Sequence, residues 1–164
     1  MKQMWSPWRS SYVETLKHTD KKCVFCEIDK LNQDEKSFVI VRQEFNYVVL
    51  NIFPYNNGHL LVVPYEHVDD TTILSEDVLN EAMRLIQYSI KALRNVFSAD
   101  GFNVGMNLGS AAGAGIAEHI HFHIVPRWKG DTNFMPVLSG NKVISQDLKT
   151  TFDKIKPEFE KFFE

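Results

Sequence analysis

The chain has 164 residues, of which 44% are hydrophobic and 24% charged, and its formal net charge is −3 at pH 7. This length predicts one domain, residues 1–164, with a sizeable core. The 18 basic residues are outnumbered by 21 acidic ones, which excludes a protein that coats nucleic acid. The amino-terminal sequence lacks the apolar segment of a signal peptide, and no apolar run approaches the ~20 residues that span a bilayer. We therefore expect a cytoplasmic protein with neither a nucleic-acid nor a membrane partner.

The first 22 residues begin with aromatic side chains and then turn polar, which predicts a packing arm with a short helix near 9–16. Trp5 and Trp8 are interpreted as large apolar anchors of this arm. The alternative is that they cover an adenine or a dimer contact.

A close pair of cysteines, Cys23 and Cys26, follows the arm, and the chain contains no other cysteine. Two intervening residues suit a metal site, a redox pair or a coincidence equally well. No βαβ pattern accompanies the pair to favour redox chemistry. A structural metal site would need two more ligands, which only histidines are available to supply.

Three runs of β-branched and aromatic residues, 37–42, 46–51 and 59–64, predict an antiparallel meander. The Asn-Gly pair before the third run is a turn sequence. Apolar residues then recur every three or four positions, which predicts an amphipathic helix over 75–98 that begins at Ser75. A fourth strand is predicted over 102–107.

The remaining elements complete an α+β domain, because strands and helices do not alternate as βαβ units. A fifth strand is predicted over 118–125. The carboxy-terminal extension, 138–164, should contain a helix over 145–163 that is broken or restarted at Pro157.

The predicted fifth strand contains three histidines in alternation with apolar residues. A strand would place His119, His121 and His123 on one face. Adjacent members are then about 6.6 Å apart and could share one metal, whereas the outer two are about 13 Å apart. At least one histidine is therefore left for another role. The preceding loop, 107–115, is rich in glycine and other small residues, which suits close approach of backbone N–H groups to phosphate.

The motif His119-Ile-His121-Phe-His123-Ile-Val resembles the signature of the histidine triad superfamily of nucleotide hydrolases and transferases. Five further segments are similar to its bacterial branch that includes diadenosine tetraphosphate phosphorylases: Trp5-Ser-Pro-Trp-Arg9, Cys23-Val-Phe-Cys26, Gly58-His-Leu-Leu-Val-Val-Pro64, Gly113-Ala-Gly-Ile-Ala-Glu-His119 and Gly130-Asp-Thr-Asn-Phe134. The resemblance covers roughly residues 5–137.

The resemblance implies roles for individual residues. His121 matches the nucleophile that forms a nucleotidyl-histidine, and His123 and His59 match histidines that contact the α-phosphate. The remaining matches concern substrate binding: Asn107 at phosphate or the leaving group, Gly113 and Gly115 at phosphate, Ile28 and Ile52 at the purine, and Asn51 at the ribose. Asn51 departs from the acid that is common there.

The resemblance also implies that His67 and His119 join the cysteine pair around a structural zinc ion, since four ligands leave no open position for catalysis. It further implies a homodimer. The expected activity is phosphorolysis of diadenosine tetraphosphate to ATP and ADP. The alternatives are a dinucleotide hydrolase, a purine nucleoside phosphoramidase and a non-catalytic nucleotide-binding adaptor.

Overall fold

The computed structural model describes residues 22–131 and 146–164. Its strands are β1 Val39–Arg42, β2 Asn46–Leu50, β3 Leu60–Pro64, β4 Gly101–Met106 and β5 Phe122–Arg127. Its helices are α1 Val24–Leu31, α2 Asp34–Ser37, α3 Glu76–Phe97 and α4 Leu148–Glu160. The strands form one antiparallel sheet in the order β1-β2-β3-β5-β4. The α+β prediction is confirmed. The predicted arm, with Trp5, Trp8 and the helix at 9–16, lies outside the described residues.

The two faces of the sheet are covered by different parts of the chain. On the first, which we call the helix face, apolar residues of β2, β3 and β5 pack against α3 and α4. On the second, the α1 face, Tyr47, Val49 and Leu61 pack against Phe25 of α1. His123 lies opposite Leu61 in the register of β5 with β3, and directly opposed residues point to the same face. The sheet therefore places His123 on the α1 face.

Helix α3 confirms the predicted amphipathic helix. Its amino-terminal cap is Ser75, whose hydroxyl accepts a hydrogen bond from the Val78 N–H at 3.4 Å. Glu76 and Asp77 lie in the first turn, where the helix dipole favours acidic side chains. Helix α4 runs through Pro157 to Glu160, so the predicted break there is wrong. Proline removes one hydrogen bond in the last turn, while the buried Ile155 and Phe159 keep the helix packed against the core.

Strand β5 is shorter at its start than the predicted strand over 118–125. Its ladder with β3 begins at Phe122, opposite Val62. Continuing that register would bring Ile120 opposite Pro64, and proline has no N–H to donate. The Ile120 N–H instead donates to the Val68 carbonyl at 2.7 Å. His119 and His121 therefore precede the regular strand.

Helix α1 was not predicted, and side chains of the sheet hold it in place. The Tyr47 hydroxyl donates to the Phe25 carbonyl at 3.0 Å. Arg42 donates to Asp29 of α1 and to Asp34 of α2, both at 2.9 Å. These contacts fix both cysteines over the α1 face. Within the described ranges, no helix combines the length and hydrophobicity needed to cross a bilayer.

Candidate active site and metal centre

Four possible metal ligands converge where α1 meets the segments after β3 and before β5. These are Cys23, Cys26, His67 and His119, whose ligand atoms all lie within 4.8 Å of one another. The His119 Nδ1 atom lies 3.3 Å from the Cys23 Sγ, 3.6 Å from the Cys26 Sγ and 3.3 Å from the His67 Nδ1. The Cys26 Sγ lies 3.3 Å from the His67 Nδ1. The structure thus brings together all four residues that the resemblance assigned to a metal.

The spacing of these atoms fits tetrahedral coordination. Metal–sulfur bonds of about 2.3 Å and metal–nitrogen bonds of about 2.0–2.1 Å place two ligand atoms roughly 3.3–3.8 Å apart. The observed separations of 3.3–3.6 Å agree with that range. The other ring nitrogen of His119, Nε2, lies 2.9 Å from the Pro64 carbonyl. Donation to this carbonyl leaves the Nδ1 lone pair for a metal.

The pKa of His119 favours binding of a metal, whereas the pKa of Cys26 opposes it. Burial lowers the pKa of His119, which favours the neutral imidazole that binds metals. Burial and the neighbouring Cys23 raise the pKa of Cys26 to about 11. A metal must therefore displace the thiol proton of Cys26 when it binds.

The second cluster of imidazoles is built around His121, which is 6% exposed. Its Nδ1 lies 2.9 Å from the His119 carbonyl oxygen. A carbonyl only accepts hydrogen bonds, so Nδ1 carries the proton and Nε2 of the neutral ring carries the lone pair. Burial lowers the pKa of His121, which favours this neutral form. The ring packs against Phe25 at a centroid distance of 4.9 Å.

His123 and His59 complete the cluster. The rings of His121 and His123 meet edge to face with centroids 4.8 Å apart. The His59 Nε2 lies 2.9 Å from the His123 Nδ1, although 64 residues separate the two in sequence. His59 is fully buried. The structure therefore brings together the three histidines that the resemblance assigned to catalysis.

Asn51 lies beside this cluster and contacts its buried member. The Asn51 Nδ2 is 3.2 Å from the His59 Nδ1, and its Oδ1 accepts from the Phe53 N–H at 2.9 Å. Of the two residues assigned to a purine pocket, Ile28 packs against the core of the α1 face, whereas Ile52 is 47% exposed. Only Ile52 thus presents a largely open apolar surface.

The glycine-rich loop joins β4 to β5 on the surface. Asn107 directly follows Met106, which pairs with Phe122, so the loop leaves the sheet opposite the residue between His121 and His123. Gly113 is exposed at φ 84°, a left-handed conformation that favours glycine. Gly115 is exposed too. The pairing of Met106 with Phe122 therefore places the start of this loop beside the triad.

Comparison with known proteins places the chain in a family. Residues 32–130 match the model of the HIT domain. This chain belongs to the HIT family. It is 41% identical over 158 residues to the AP-4-A phosphorylase of Mycobacterium tuberculosis, an alignment that covers 92% of this chain and 80% of the relative. It is 31% identical over 108 residues to the adenosine 5'-monophosphoramidase of Saccharomyces cerevisiae, an alignment that covers 66% of this chain and 64% of the relative.

A solved HIT structure has the same fold. The zinc-bound histidine triad family protein from Mycobacterium smegmatis superposes with a TM-score of 0.70 at 27% identity. The superposition covers 87% of this chain and 96% of that protein.

The structure adds two residues to the HIT site that the sequence did not reveal. The Tyr55 ring stacks on His123 at a centroid distance of 5.7 Å, and the Tyr55 N–H donates to the His59 Nδ1 at 3.0 Å. Phe25 contacts both His119 and His121. In the sequence, Tyr55 is marked only by the turn before His59, and Phe25 only by its position between the cysteines. Neither feature predicts a ring contact.

Proposed function

We propose that this HIT protein is an enzyme that transfers an adenylyl group from an adenine dinucleotide to phosphate through His121. The observation that carries the proposal is the contact between the His121 Nδ1 and the His119 carbonyl, which aims an uncharged Nε2 lone pair away from the backbone. The 41% identity with a protein named AP-4-A phosphorylase supports diadenosine tetraphosphate as the substrate.

The reaction has two displacements. The His121 Nε2 attacks the α-phosphorus, an N–P bond forms, the P–O bond to the remaining phosphates breaks, and ATP departs. A phosphate oxygen then attacks the same phosphorus, the N–P bond breaks, and ADP is released. His123 stabilises charge on the α-phosphate oxygens by hydrogen bonding, and His59 supports it through the 2.9 Å contact between the His59 Nε2 and the His123 Nδ1. Asn107, Gly113 and Gly115 contact the phosphates from the loop, and Ile28 and Ile52 contact the nucleoside.

Hydrolysis of the same intermediate or of a phosphoramidate is the second candidate. The 31% identity with an adenosine 5'-monophosphoramidase favours it, because water in place of phosphate converts adenylyl-His121 to AMP. A non-catalytic adaptor would have no need for three imidazoles joined through His123, which argues against that alternative.

We propose zinc as the metal at Cys23, Cys26, His67 and His119, because two thiolates and two imidazoles suit zinc better than hard divalent ions. The ion would be structural. It would hold α1 against the segments that flank the triad and leave the chemistry to His121, His123 and His59. Ligation requires reduced cysteines, which is consistent with the predicted cytoplasmic location.

We also propose a homodimer of single-domain chains, joined along β4. This strand forms an edge of the sheet, and its Val104 and Met106 are 46% and 39% exposed. An open apolar pocket of about 410 Å³ adjoins the edge and is lined by Met83, Ile86 and Met106, among others. It lies on the helix face, away from the triad. Exposed apolar patches at sheet edges are typical of association surfaces.

The test incubates the purified protein with diadenosine tetraphosphate, with and without inorganic phosphate, and identifies the nucleotides. ADP that forms only with phosphate is the expected result, whereas AMP in both reactions would establish hydrolysis. His121→Ala should reduce turnover to below about one part in a hundred, because loss of a covalent nucleophile removes the pathway. Gln87→Ala, on the exposed side of α3, is the control. Turnover by His121→Ala at the control's rate would refute the nucleophile assignment.

A further inference from the structure

The orientation of the Asn51 side chain is fixed by the main chain. The Phe53 N–H donates to the Asn51 Oδ1 at 2.9 Å. An N–H group only donates, so this end of the amide is the oxygen and the other end is the NH₂ group. The NH₂ group therefore faces the His59 Nδ1, at 3.2 Å.

His59 receives a second donor at the same nitrogen. The Tyr55 N–H donates to the His59 Nδ1 at 3.0 Å, so the hydrogen lies between the two nitrogens. Two donors that share one nitrogen leave no room for a proton on it. The His59 Nδ1 thus carries a lone pair, and the proton of the neutral ring resides on Nε2.

The position of this proton determines the direction of the next hydrogen bond. The His59 Nε2–H donates to the His123 Nδ1 at 2.9 Å. Nδ1 of His123 is therefore an acceptor, and the proton of its neutral ring resides on Nε2. The hydrogen bonds run in one direction, from Asn51 and Tyr55 through His59 to His123.

We propose that Asn51 is a positioning residue that sets this direction together with the Tyr55 N–H, so that His123 presents an N–H rather than a lone pair to the substrate's phosphate. This inference rests on the proposed function, because the benefit arises only if an anionic phosphoryl group lies at His123. A donor stabilises charge that develops on phosphate oxygens, whereas a lone pair would repel it. The ribose contact implied by the resemblance is a different role for the same side chain.

Asn51→Asp separates the two roles. The carboxylate keeps an oxygen for the Phe53 N–H but places a second oxygen against the His59 Nδ1. That oxygen attracts a proton to Nδ1, which in the neutral ring leaves Nε2 as an acceptor and reverses the bond to His123. For a ribose hydroxyl, in contrast, a carboxylate is as good an acceptor as an amide oxygen.

The first readout is nitrogen-15 NMR of the histidine rings in the resting, full-length protein at about pH 8.5, where an ordinary imidazole is neutral. We expect an unprotonated Nδ1 and a protonated Nε2 on His59 and His123 in the wild type, and the opposite pattern in Asn51→Asp. Asn80→Asp adds the same charge on the exposed surface of α3 and should keep the wild-type pattern. A protonated Nδ1 on wild-type His59, or an unchanged pattern in Asn51→Asp, would overturn the proposal.

The second readout is the order of the kinetic effects of two substitutions. Asn51→Leu removes the amide but leaves the Tyr55 N–H to hold the direction. Positioning predicts that Asn51→Asp lowers kcat tenfold or more relative to wild type and more than Asn51→Leu does, with KM little changed. A ribose role predicts the reverse order: Asn51→Leu would lose more activity than Asn51→Asp, and the loss would appear in KM. This result would overturn the proposal.

The NMR measurement tests the direction of the hydrogen bonds even if the protein shows no enzymatic activity. Absence of turnover by the wild-type protein would refute the proposed function, while the ring nitrogens would still report whether Asn51 sets the direction. If Asn51→Asp does not fold, the wild-type spectrum and the kinetics of Asn51→Leu decide the matter.

Discussion

A buried carboxylate joins the turn between β1 and β2 to α3. Glu81 is 6% exposed and accepts hydrogen bonds from three successive backbone N–H groups, those of Glu44, Phe45 and Asn46, at 2.7–3.1 Å. The Asn46 Nδ2 donates a fourth at 2.9 Å. Four donors replace the water that the carboxylate loses on folding, which makes its burial tolerable.

Glu81→Gln should destabilise the protein by about 2–4 kcal/mol, because an amide NH₂ would face backbone donors and leave them unsatisfied. The measurement is the free energy of unfolding by urea denaturation. Glu66→Gln, at an exposed position after β3, makes the same chemical change and should alter stability by less than about 0.5 kcal/mol. Equal effects of the two substitutions would show that the four hydrogen bonds have no special role.

The residues of the candidate site differ in how far the sequence could identify them. The alternation at 119–123 and the family signature pointed to His121 and His123, and the family alone to His59 and His67. The contact of Asn51 with His59 could not be predicted, since it depends on the path of a turn that brings two backbone N–H groups against two side chains. Ring contacts of Phe25 and Tyr55 likewise depend on tertiary packing.

At the scale of elements, sequence patterns predicted what is long and periodic and missed what is short. Helix α3 and the meander of β1 to β3 were predicted, because their apolar residues repeat with the period of the structure. Helix α1 has eight residues, too few for a reliable pattern, and its position depends on Tyr47 and Arg42 of the sheet. The start of β5 was misplaced because the limit comes from Pro64 on a neighbouring strand.

The four candidate ligands come from α1 and from the segments after β3 and before β5, so removal of a metal that joins them should affect stability. Chelation should lower the Tm of the wild type by about 10 °C, since ligation free energy is folding free energy and a protein of this size loses about 2–4 °C per kcal/mol. Magnesium or manganese should not restore the Tm, because hard ions disfavour thiolate.

Cys23→Ser provides the matched comparison for chelation. Its Tm should already be low, and chelator should not lower it further. Metal analysis should find about one zinc per wild-type chain and much less in the variant. A wild-type Tm that is insensitive to chelator would contradict a structural metal.

For the whole molecule, the exposed edge of the sheet makes assembly a testable property. Val104 pairs with Ile124 across the β4–β5 ladder, so its exposed side chain lies on the helix face at the edge. A charge on an edge strand opposes pairing with another strand. We therefore expect the wild type to have a dimeric mass at micromolar concentration and Val104→Lys to have a monomeric one.

Light scattering coupled to size-exclusion chromatography measures this difference. Leu31→Lys is the control, because Leu31 is 57% exposed at the end of α1, away from β4. Dissociation by both substitutions would indicate a general effect of charge, and a monomeric wild type would refute the dimer.

His119 contributes to the site through two different parts of the same residue. Its ring is one of the four candidate metal ligands, whereas its carbonyl oxygen accepts the hydrogen bond from the His121 Nδ1. Every amino acid carries that carbonyl, but few carry a metal ligand. In the proposed function the two contributions are therefore separable: a substitution that removes the ring at position 119 leaves in place the carbonyl oxygen that orients the proposed nucleophile His121.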